Sequence, residues 1–287
     1  MATIIGLIAC FYAQNMGKKP EEGYRIEIVV DTLEKKPVPR LSELKEIRFI
    51  SPEEKVLKSV KTNPIKLVSP RYEGYLFYAE SPFKVSGNKK YALGIENVAL
   101  EGNWIKMERV LWNAQGKKKW TRVWKTYLPE AEGDPNWDEG ISYNGSTVYV
   151  SYKDSLRNYW LVVYDTLGKE LVKVSNKYGF WDIGISLDGQ LIGAYTILSL
   201  EDDNTLPDLF FLNVKTGESK FVKGGGILNG KQWSAHFSFS ATIDSERCLS
   251  KVYIGCGVEN GPNWYGFLSI DEIPDDLTTL FLNGGEK

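Results

Sequence analysis

The carboxylates best placed for acid–base chemistry are Asp138 and Asp182, which stand at the same position of a repeated phrase. Residues 137–145 read Trp-Asp-Glu-Gly-Ile-Ser-Tyr-Asn-Gly, and residues 181–189, 44 positions later, read Trp-Asp-Ile-Gly-Ile-Ser-Leu-Asp-Gly. Two carboxyl groups on either side of a scissile bond can act as a general acid and as a base or nucleophile. Glu80 would supply a third carboxylate. These three residues are the candidate catalytic set.

The repetition itself favours a structural role for the same residues. Side chains that recur at matching repeat positions usually serve the scaffold, whereas an enzyme usually breaks its repeat at the chemistry. Asp182, at the start of a predicted strand, would then accept backbone N–H groups, and Trp181 would wedge between repeat units. We therefore predict scaffold residues here and keep catalysis as the alternative.

Aromatic side chains form the second candidate site. Flat rings stack on sugars or anchor protein partners, and aromatic residues make up 13% of the chain. The candidate ligand-binding residues are Trp104, Trp112, Trp160, Trp264 and Tyr265. Trp120 and Trp124 share a unit with the first two. Packing between units is the alternative role for all of them.

Composition excludes several classes of function. The chain has 35 basic and 37 acidic residues in 287, and the net charge of −2 argues against a nucleic-acid surface. His236 is the single histidine, so metal binding through imidazole is nearly excluded. The three cysteines, Cys10, Cys248 and Cys256, are expected to be buried thiols. We predict no metal and no cofactor.

The elements that position these residues are predicted to be strands. Through residues 181–187 apolar and polar side chains alternate, as in a strand with one buried face. Asp188 and Gly189 then supply the positive φ that a tight hairpin turn requires. Three more apolar strands complete the unit before residue 223, and residues 137–177 have the same parts in order. Each unit is a predicted four-stranded antiparallel meander.

Weaker copies of this unit extend the repeat over the whole chain. Four-stranded meanders repeated at intervals of roughly 40–60 residues are typical of β-propellers. We predict an all-β fold, a β-propeller of about five four-stranded antiparallel blades, with residues 4–13 as the inner strand of the first. The predicted blades cover residues 3–62, 73–126, 137–177, 181–223 and 233–283.

The ends of two units resemble the blades of the WD40-like and quinoprotein-like propeller family. Residues 163–171 (Val-Tyr-Asp-Thr-Leu-Gly-Lys-Glu-Leu) and residues 211–217 share an order of strand, Asp or Asn, and turn Gly. The resemblance is strongest over residues 137–223 and implies a fold, since it contains no functional motif. The alternative architecture is an N-terminal β-sandwich, over about residues 24–110, followed by an incomplete propeller.

The N-terminal segment leaves the location of the protein open. Residues 4–13 are apolar but too short to span a bilayer, and no other segment could be membranous. They fit a buried strand or the core of a secretory signal, although no positive charge precedes them. The run Leu-Ile-Ala-Cys ending at Cys10 resembles a lipoprotein cleavage box, which implies a lipid anchor there if the natural start lies upstream. We expect an intracellular protein, with an envelope location as the alternative.

The sequence therefore predicts a non-catalytic binding or scaffold module that presents a propeller loop face to a protein or a glycan. The alternative is an enzyme. Asp138 and Asp182 at the mouth of a channel, with Glu80, would resemble five-bladed glycoside hydrolases. That resemblance implies one carboxylic acid that protonates the leaving oxygen and another that acts as base or nucleophile.

Overall fold

The structure is a computed structural model that describes residues 23–30, 44–61, 83–102, 104–127, 138–196, 207–239 and 251–282. The predicted inner strand at residues 4–13, which includes the proposed anchor Cys10, and the start of the predicted second blade, residues 73–82, lie outside these residues.

The described strands form five antiparallel sheets in chain order, each a simple meander. The first contains β1 (Arg25–Val30), β2 (Leu44–Ile50) and β3 (Val56–Lys61). The second contains β4 (Phe83–Val85), β5 (Tyr91–Glu101), β6 (Trp104–Asn113) and β7 (Lys118–Tyr127). The third contains β8 (Asp138–Ile141), β9 (Thr147–Lys153), β10 (Tyr159–Asp165) and β11 (Glu170–Asn176). The fourth contains β12 (Trp181–Ile185), β13 (Leu191–Thr196), β14 (Asp208–Asn213) and β15 (Ser219–Val222). The fifth contains β16 (Gly225–Leu228), β17 (Lys231–Ser238), β18 (Val252–Val258) and β19 (Asn263–Leu268).

Each sheet packs on the next through its own hydrophobic core. Burying one Val, Leu or Phe side chain stabilises the fold by roughly 1.5–3 kcal/mol. Because each core is formed by side chains of two successive sheets, these contacts hold neighbouring sheets together. Representative side chains in the four successive cores are Phe49 with Trp112, Trp124 with Val162, Leu161 with Phe210, and Phe211 with Ile254.

This stacking confirms the predicted β-propeller. The first strands of the second, third and fourth sheets, β4, β8 and β12, are neighbours in space as well as in order. The alternative of a separate N-terminal β-sandwich is wrong, because the second sheet packs on the third as well as on the first. The all-β class is evident from the meanders themselves. The first sheet has three described strands, and each of the others has four.

The turns between the first two strands of the second, third and fourth sheets repeat one hydrogen-bond pattern. In each turn a serine hydroxyl donates to an Asn or Asp side-chain oxygen two residues later, at 2.7 Å. We call these six residues the turn girdle: Ser86, Asn88, Ser142, Asn144, Ser186 and Asp188.

The turn girdle also joins one sheet to the next. Asn88 donates from its backbone N–H to Tyr143 O at 2.9 Å and from Nδ2 to Asn144 O at 2.6 Å. Asn144 makes the same two bonds to the fourth sheet, to Leu187 O and to Asp188 O, each at 3.1 Å. The repeated phrase in the sequence therefore encodes a contact between blades.

The fifth sheet departs from the prediction at its start. Its first strand is β16, whereas Trp233, expected to open the blade, lies in the second strand, β17. The three glycines at 224–226 carry no side chains and so show no apolar alternation, although Ala235 N–H donates to Gly224 O at 2.7 Å. These residues lie between two of the predicted blades, yet Gly225 and Gly226 pair with β17 in the sheet.

The end of the chain also differs from the prediction. The predicted fifth blade extends to residue 283, but a 3-10 turn (Ile270–Glu272) and a short helix α1 (Thr278–Leu282) follow β19. Glu272 starts the turn by accepting hydrogen bonds from the N–H and the hydroxyl of Ser269, both at 2.8 Å. Apolar side chains of this segment, including Phe281, complete the core between the fourth and fifth sheets. Within the described ranges, no helix has the length and apolar character needed to cross a membrane.

Candidate functional site

A groove of about 470 Å³ crosses the fifth sheet near the turn that joins β18 to β19. Its volume lies within the range of roughly 300–1,000 Å³ found for ligand pockets. The strands set its lining through their register. His236, Gly255 and Tyr265 lie opposite one another on β17, β18 and β19. Residues that face each other across antiparallel strands share one side of the sheet.

Two glycines of β18 make room for the side chains that line the groove. A methyl group at Gly255 would lie 2.4 Å from Cε1 of His236 and 2.9 Å from Cδ1 of Tyr265, so both rings lean over this glycine. A methyl group at Gly257 would lie 1.9 Å from Oδ1 of Asn263. A strand with side chains at both positions could not hold these three groups where they are.

The walls combine flat rings with amide and hydroxyl groups. The Tyr265 side chain is exposed by 57% and lies parallel to Tyr253, with the ring centroids 6.4 Å apart and an angle of 16° between the planes. The lining also includes five polar residues (Gln232, Ser234, Glu259, Asn260 and Asn263) and the apolar residues Trp233, Cys256 and Val258. Glu259 is the one carboxylate among the described residues of the lining, which includes no Lys or Arg. The groove therefore offers mainly neutral hydrogen-bonding groups.

The histidine of the groove favours its neutral form. Desolvation lowers the pKa of His236 below its ordinary value of 6.5, although the side chain keeps substantial contact with solvent, because the charged imidazolium is the form that loses hydration. A neutral imidazole carries one donor and one acceptor nitrogen. His236 can therefore donate and accept hydrogen bonds at pH 7.

The opposite side of the same strands packs into the core, and Cys256 on that side also borders the groove. Cys256 pairs with Ala235 and Trp264 across the sheet, and its thiol lies 3.7 Å from Leu277 O. Burial raises the pKa of the Cys256 thiol to about 11, so it is protonated and a poor nucleophile. The two faces of the fifth sheet thus have different roles, with the core on one side and the groove on the other.

Of the predicted ligand-binding aromatics, Tyr265 alone lines the groove. Trp264, its neighbour, points to the other face and packs against the core between the fourth and fifth sheets. Trp160 is half-buried, donates from Nε1 to Asp154 Oδ2 at 2.8 Å and lies 4.2 Å beneath Lys173 Nζ. Trp104 is half-buried at the start of β6, in the second sheet.

The prediction that Trp112 binds a ligand at the surface is corrected by its burial. Its exposure is 0%, and its ring lies between Phe49 and Phe83, at centroid distances of 6.4 and 6.1 Å. Trp120 and Trp124 are also buried and contact Tyr164 of the third sheet. These three tryptophans therefore pack between units, which was the alternative role predicted for them.

The repeated carboxylates lie on the neighbouring first strands β8 and β12, but their surroundings differ. Asp138 is half-buried, and its Oδ1 accepts the N–H of Glu139 at 2.7 Å. Its Oδ2 lies 3.4 Å from the hydroxyl of Tyr149, which donates to Ile183 O at 2.8 Å. Burial raises the pKa of Tyr149 well above 10, and the nearby carboxylates add to the rise. Asp138 thus takes part in a network between the third and fourth sheets.

Asp182 does not repeat the environment of Asp138. Its side chain is exposed and its φ is 46°, in the left-handed region, where the register of β12 against β13 shifts. Asp is one of the few residues that tolerate this conformation. Glu80, the third carboxylate of the catalytic alternative, lies outside the described residues. In the described part of the chain, no three His, Cys, Asp or Glu side chains are grouped as a metal site requires.

His236 and Asn263 are site residues that the sequence reasoning missed. The sequence contains only a weak indication of them. Gly255 and Gly257 are two positions apart on one strand, and Asn263 and Tyr265 are two positions apart in the segment that follows. Glycines at alternate positions of a strand mark a close approach of other groups. Without the register, nothing in the sequence shows that these two pairs lie side by side.

Comparisons with known proteins return similar folds and no family. No protein-family model matches the chain, and no curated protein matches it. Among solved structures, a eukaryotic initiation factor is similar over 78% of this chain and 48% of its own, with 11% identity and a TM-score of 0.43. The propeller domain of the Trilobed protease from Pyrococcus furiosus covers 66% and 57%, with 12% identity and a TM-score of 0.36.

A third similar structure is a putative TolB from Agrobacterium tumefaciens, which covers 67% of this chain and 58% of its own, with 14% identity and a TM-score of 0.31. The chain spans less than two thirds of the length of each of these three proteins. At such low identities and scores, nothing about function passes from them to this chain.

Proposed function

We propose that this protein is a non-catalytic binding module whose ligand occupies the groove of the fifth sheet. The observation that carries the proposal is the pair of glycines under Tyr265, His236 and Asn263. A side chain at either glycine would collide with these groups, so the glycines allow the two rings and the amide to take their positions beside the groove. Rings and polar groups placed together in a groove are suited to contact a ligand.

The surroundings of the repeated carboxylates support a binding role over hydrolysis. Asp138 is bound by a backbone N–H and lies near a buried tyrosine, as a structural carboxylate would be. Asp182 is exposed at a backbone irregularity.

A screen of one oligosaccharide panel and one peptide library, with the wild-type protein and Tyr265→Ala side by side, tests this proposal. Thermal shift detects a ligand because binding to the native state alone raises its stability by RT ln(1 + [L]/Kd). We expect saturable binding that is lost in Tyr265→Ala, and recovery of the ligand unchanged.

The matched control is Tyr24→Ala, since Tyr24 is an exposed tyrosine just before the first strand of the first sheet, outside the groove. It should bind as the wild type does. A ligand that Tyr265→Ala binds normally would refute the groove as the site. A ligand that is cleaved, with cleavage abolished in Asp138→Asn, would establish the glycosidase alternative instead.

A further inference from the structure

We infer that the ligand of the groove is a neutral glycan, with one pyranose ring stacked on Tyr265 and its hydroxyl groups bound by the amides around it. This inference rests on the proposed binding function. It is drawn from three features of the groove: its size, its charge and the kind of polar group it presents.

The size of the groove fits one or two sugar rings better than a protein surface. A groove of about 470 Å³ has room for a small ligand. A stable protein interface instead buries about 800 Å² on each partner, usually over a wide and shallow surface. The groove is bounded at one end by the turn after β18, where Glu259 N–H donates to Gln232 O at 3.3 Å.

The polar groups of the groove match hydroxyl groups. An amide side chain both donates and accepts hydrogen bonds, and so does a hydroxyl group. Asn263, Asn260 and Gln232 supply three amides, and Ser234 supplies a hydroxyl. The neutral His236 adds one donor and one acceptor. A ligand of many hydroxyls can satisfy all of these groups, whereas a peptide backbone presents its donors and acceptors at fixed strand spacing.

The charge of the groove favours an uncharged sugar. Glu259 is the one charged side chain among the described lining residues, so an anionic glycan would meet a carboxylate and no basic partner. A carboxylate accepts hydrogen bonds from neutral sugar hydroxyls readily, and charge-assisted bonds of this kind are the stronger ones.

The exposed ring provides the apolar part of the contact. One face of a pyranose ring carries C–H groups, which pack on an aromatic ring and remove apolar surface from water. Tyr265 is exposed, and the ring of Tyr253 lies parallel beside it on the sheet. The aromatic ring, not its hydroxyl, is the group that the sugar would need.

Isothermal titration of four proteins tests the inference: the wild type, Tyr265→Ala, Tyr265→Phe and the control Tyr24→Ala. The probes are neutral oligosaccharides of glucose, galactose, mannose, xylose and N-acetylglucosamine, an oligogalacturonate as the anionic glycan, and the peptide library. We expect one neutral sugar class to bind the wild type, and Tyr265→Ala to weaken it by about tenfold or more. Tyr265→Phe should bind within about threefold of the wild type.

The other outcomes overturn the inference in distinguishable ways. Peptide binding that Tyr265→Ala abolishes, without binding of any neutral oligosaccharide, would refute the glycan and leave the proposed binding function standing. Binding of the oligogalacturonate alone would refute the neutral character of the ligand. If no probe of any class depends on Tyr265, both the glycan and the groove are wrong. Circular dichroism of each variant verifies that it is folded.

Discussion

Arg109 of the second sheet and Glu139 of the third form an ion pair in the interior of the molecule. The Nε of Arg109 donates to Oε2 of Glu139, and both side chains are buried. The guanidinium carbon lies 5.2 Å from the centre of the Trp124 ring. Among the described residues, the Nη1 and Nη2 atoms of Arg109 have no hydrogen-bond partner. The pair therefore joins two blades but is incompletely satisfied.

This pair predicts an asymmetric response to substitution. Removal of one partner leaves a buried charge alone, which costs about 3–5 kcal/mol, whereas an apolar replacement of both is often neutral. Arg109→Met and Glu139→Leu should each destabilise the protein by that amount, and the double variant should fall within about 2 kcal/mol of the wild type. Urea unfolding measures all three. Additive losses in the double variant would show that the two residues contribute independently, which would contradict the coupling expected of a buried ion pair.

The turn girdle predicts a graded loss at Asn144. Asn144→Asp keeps the oxygen that accepts from Ser142 and loses the Nδ2 donor to Asp188 O, so it should cost about 1 kcal/mol. Asn144→Ala also loses the oxygen that accepts from Ser142 and from Ser146 N–H, and should cost about 2–3 kcal/mol. Equilibrium unfolding of the wild type and the two variants gives the comparison. An Asn144→Asp variant as stable as the wild type would mean that the Nδ2 contact between blades contributes nothing.

Much of the fold could be predicted from the sequence because local patterns specify it. The alternation in residues 181–187 and the turn at Asp188 and Gly189 require no knowledge of distant residues. The predictions of the fold were wrong where the sequence has no such local pattern. The glycines of β16 have no side chains to alternate, and the 3-10 turn at Ile270–Glu272 depends on a cap at Ser269.

The candidate site was less predictable, since it depends on register between strands. Tyr265 was named from its residue type alone, and the same criterion named Trp112, which is in the core. A buried and an exposed aromatic look alike in a sequence rich in both. The neighbours that distinguish them, such as Gly255 beneath Tyr265, lie on another strand.

The histidine of the groove predicts a dependence of stability on pH. The pKa of His236 is lower in the folded than in the unfolded chain, so the unfolded chain binds a proton first as the pH falls. The stability that the neutral His236 contributes is complete above pH 6.5, the ordinary pKa that applies to the unfolded chain. This stability is lost as the pH falls from there through the pKa of the folded protein. Tyr265 and Glu259 also line the groove beside this ring.

Comparison of the wild type with His236→Gln isolates this effect, because other groups titrate equally in both. The difference in unfolding free energy between pH 7.5 and pH 5 should be smaller in the variant. A variant with the same pH dependence as the wild type would show that His236 is not desolvated.

The buried thiol predicts slow reaction of Cys256. In the variant Cys10→Ser/Cys248→Ser it is the remaining cysteine, and its raised pKa of about 11 leaves little thiolate at pH 8. The native protein should react with a disulfide reagent at least about a hundredfold more slowly than the urea-unfolded protein, because reaction requires both opening and deprotonation. Equal rates would contradict the packing of the inner face of the fifth sheet.

The most direct test of the groove as the binding site is a map of ligand contact by nuclear magnetic resonance. Backbone amide shifts of the wild type would be followed during titration with the neutral oligosaccharide that binds best in the panel. We predict that the largest shifts fall in β17, β18 and β19 and in the turn at residues 259–262, and that Tyr265→Ala abolishes them. Shifts concentrated at Asp138 and Asp182 on β8 and β12 would contradict the account and move the site to the first strands of the propeller.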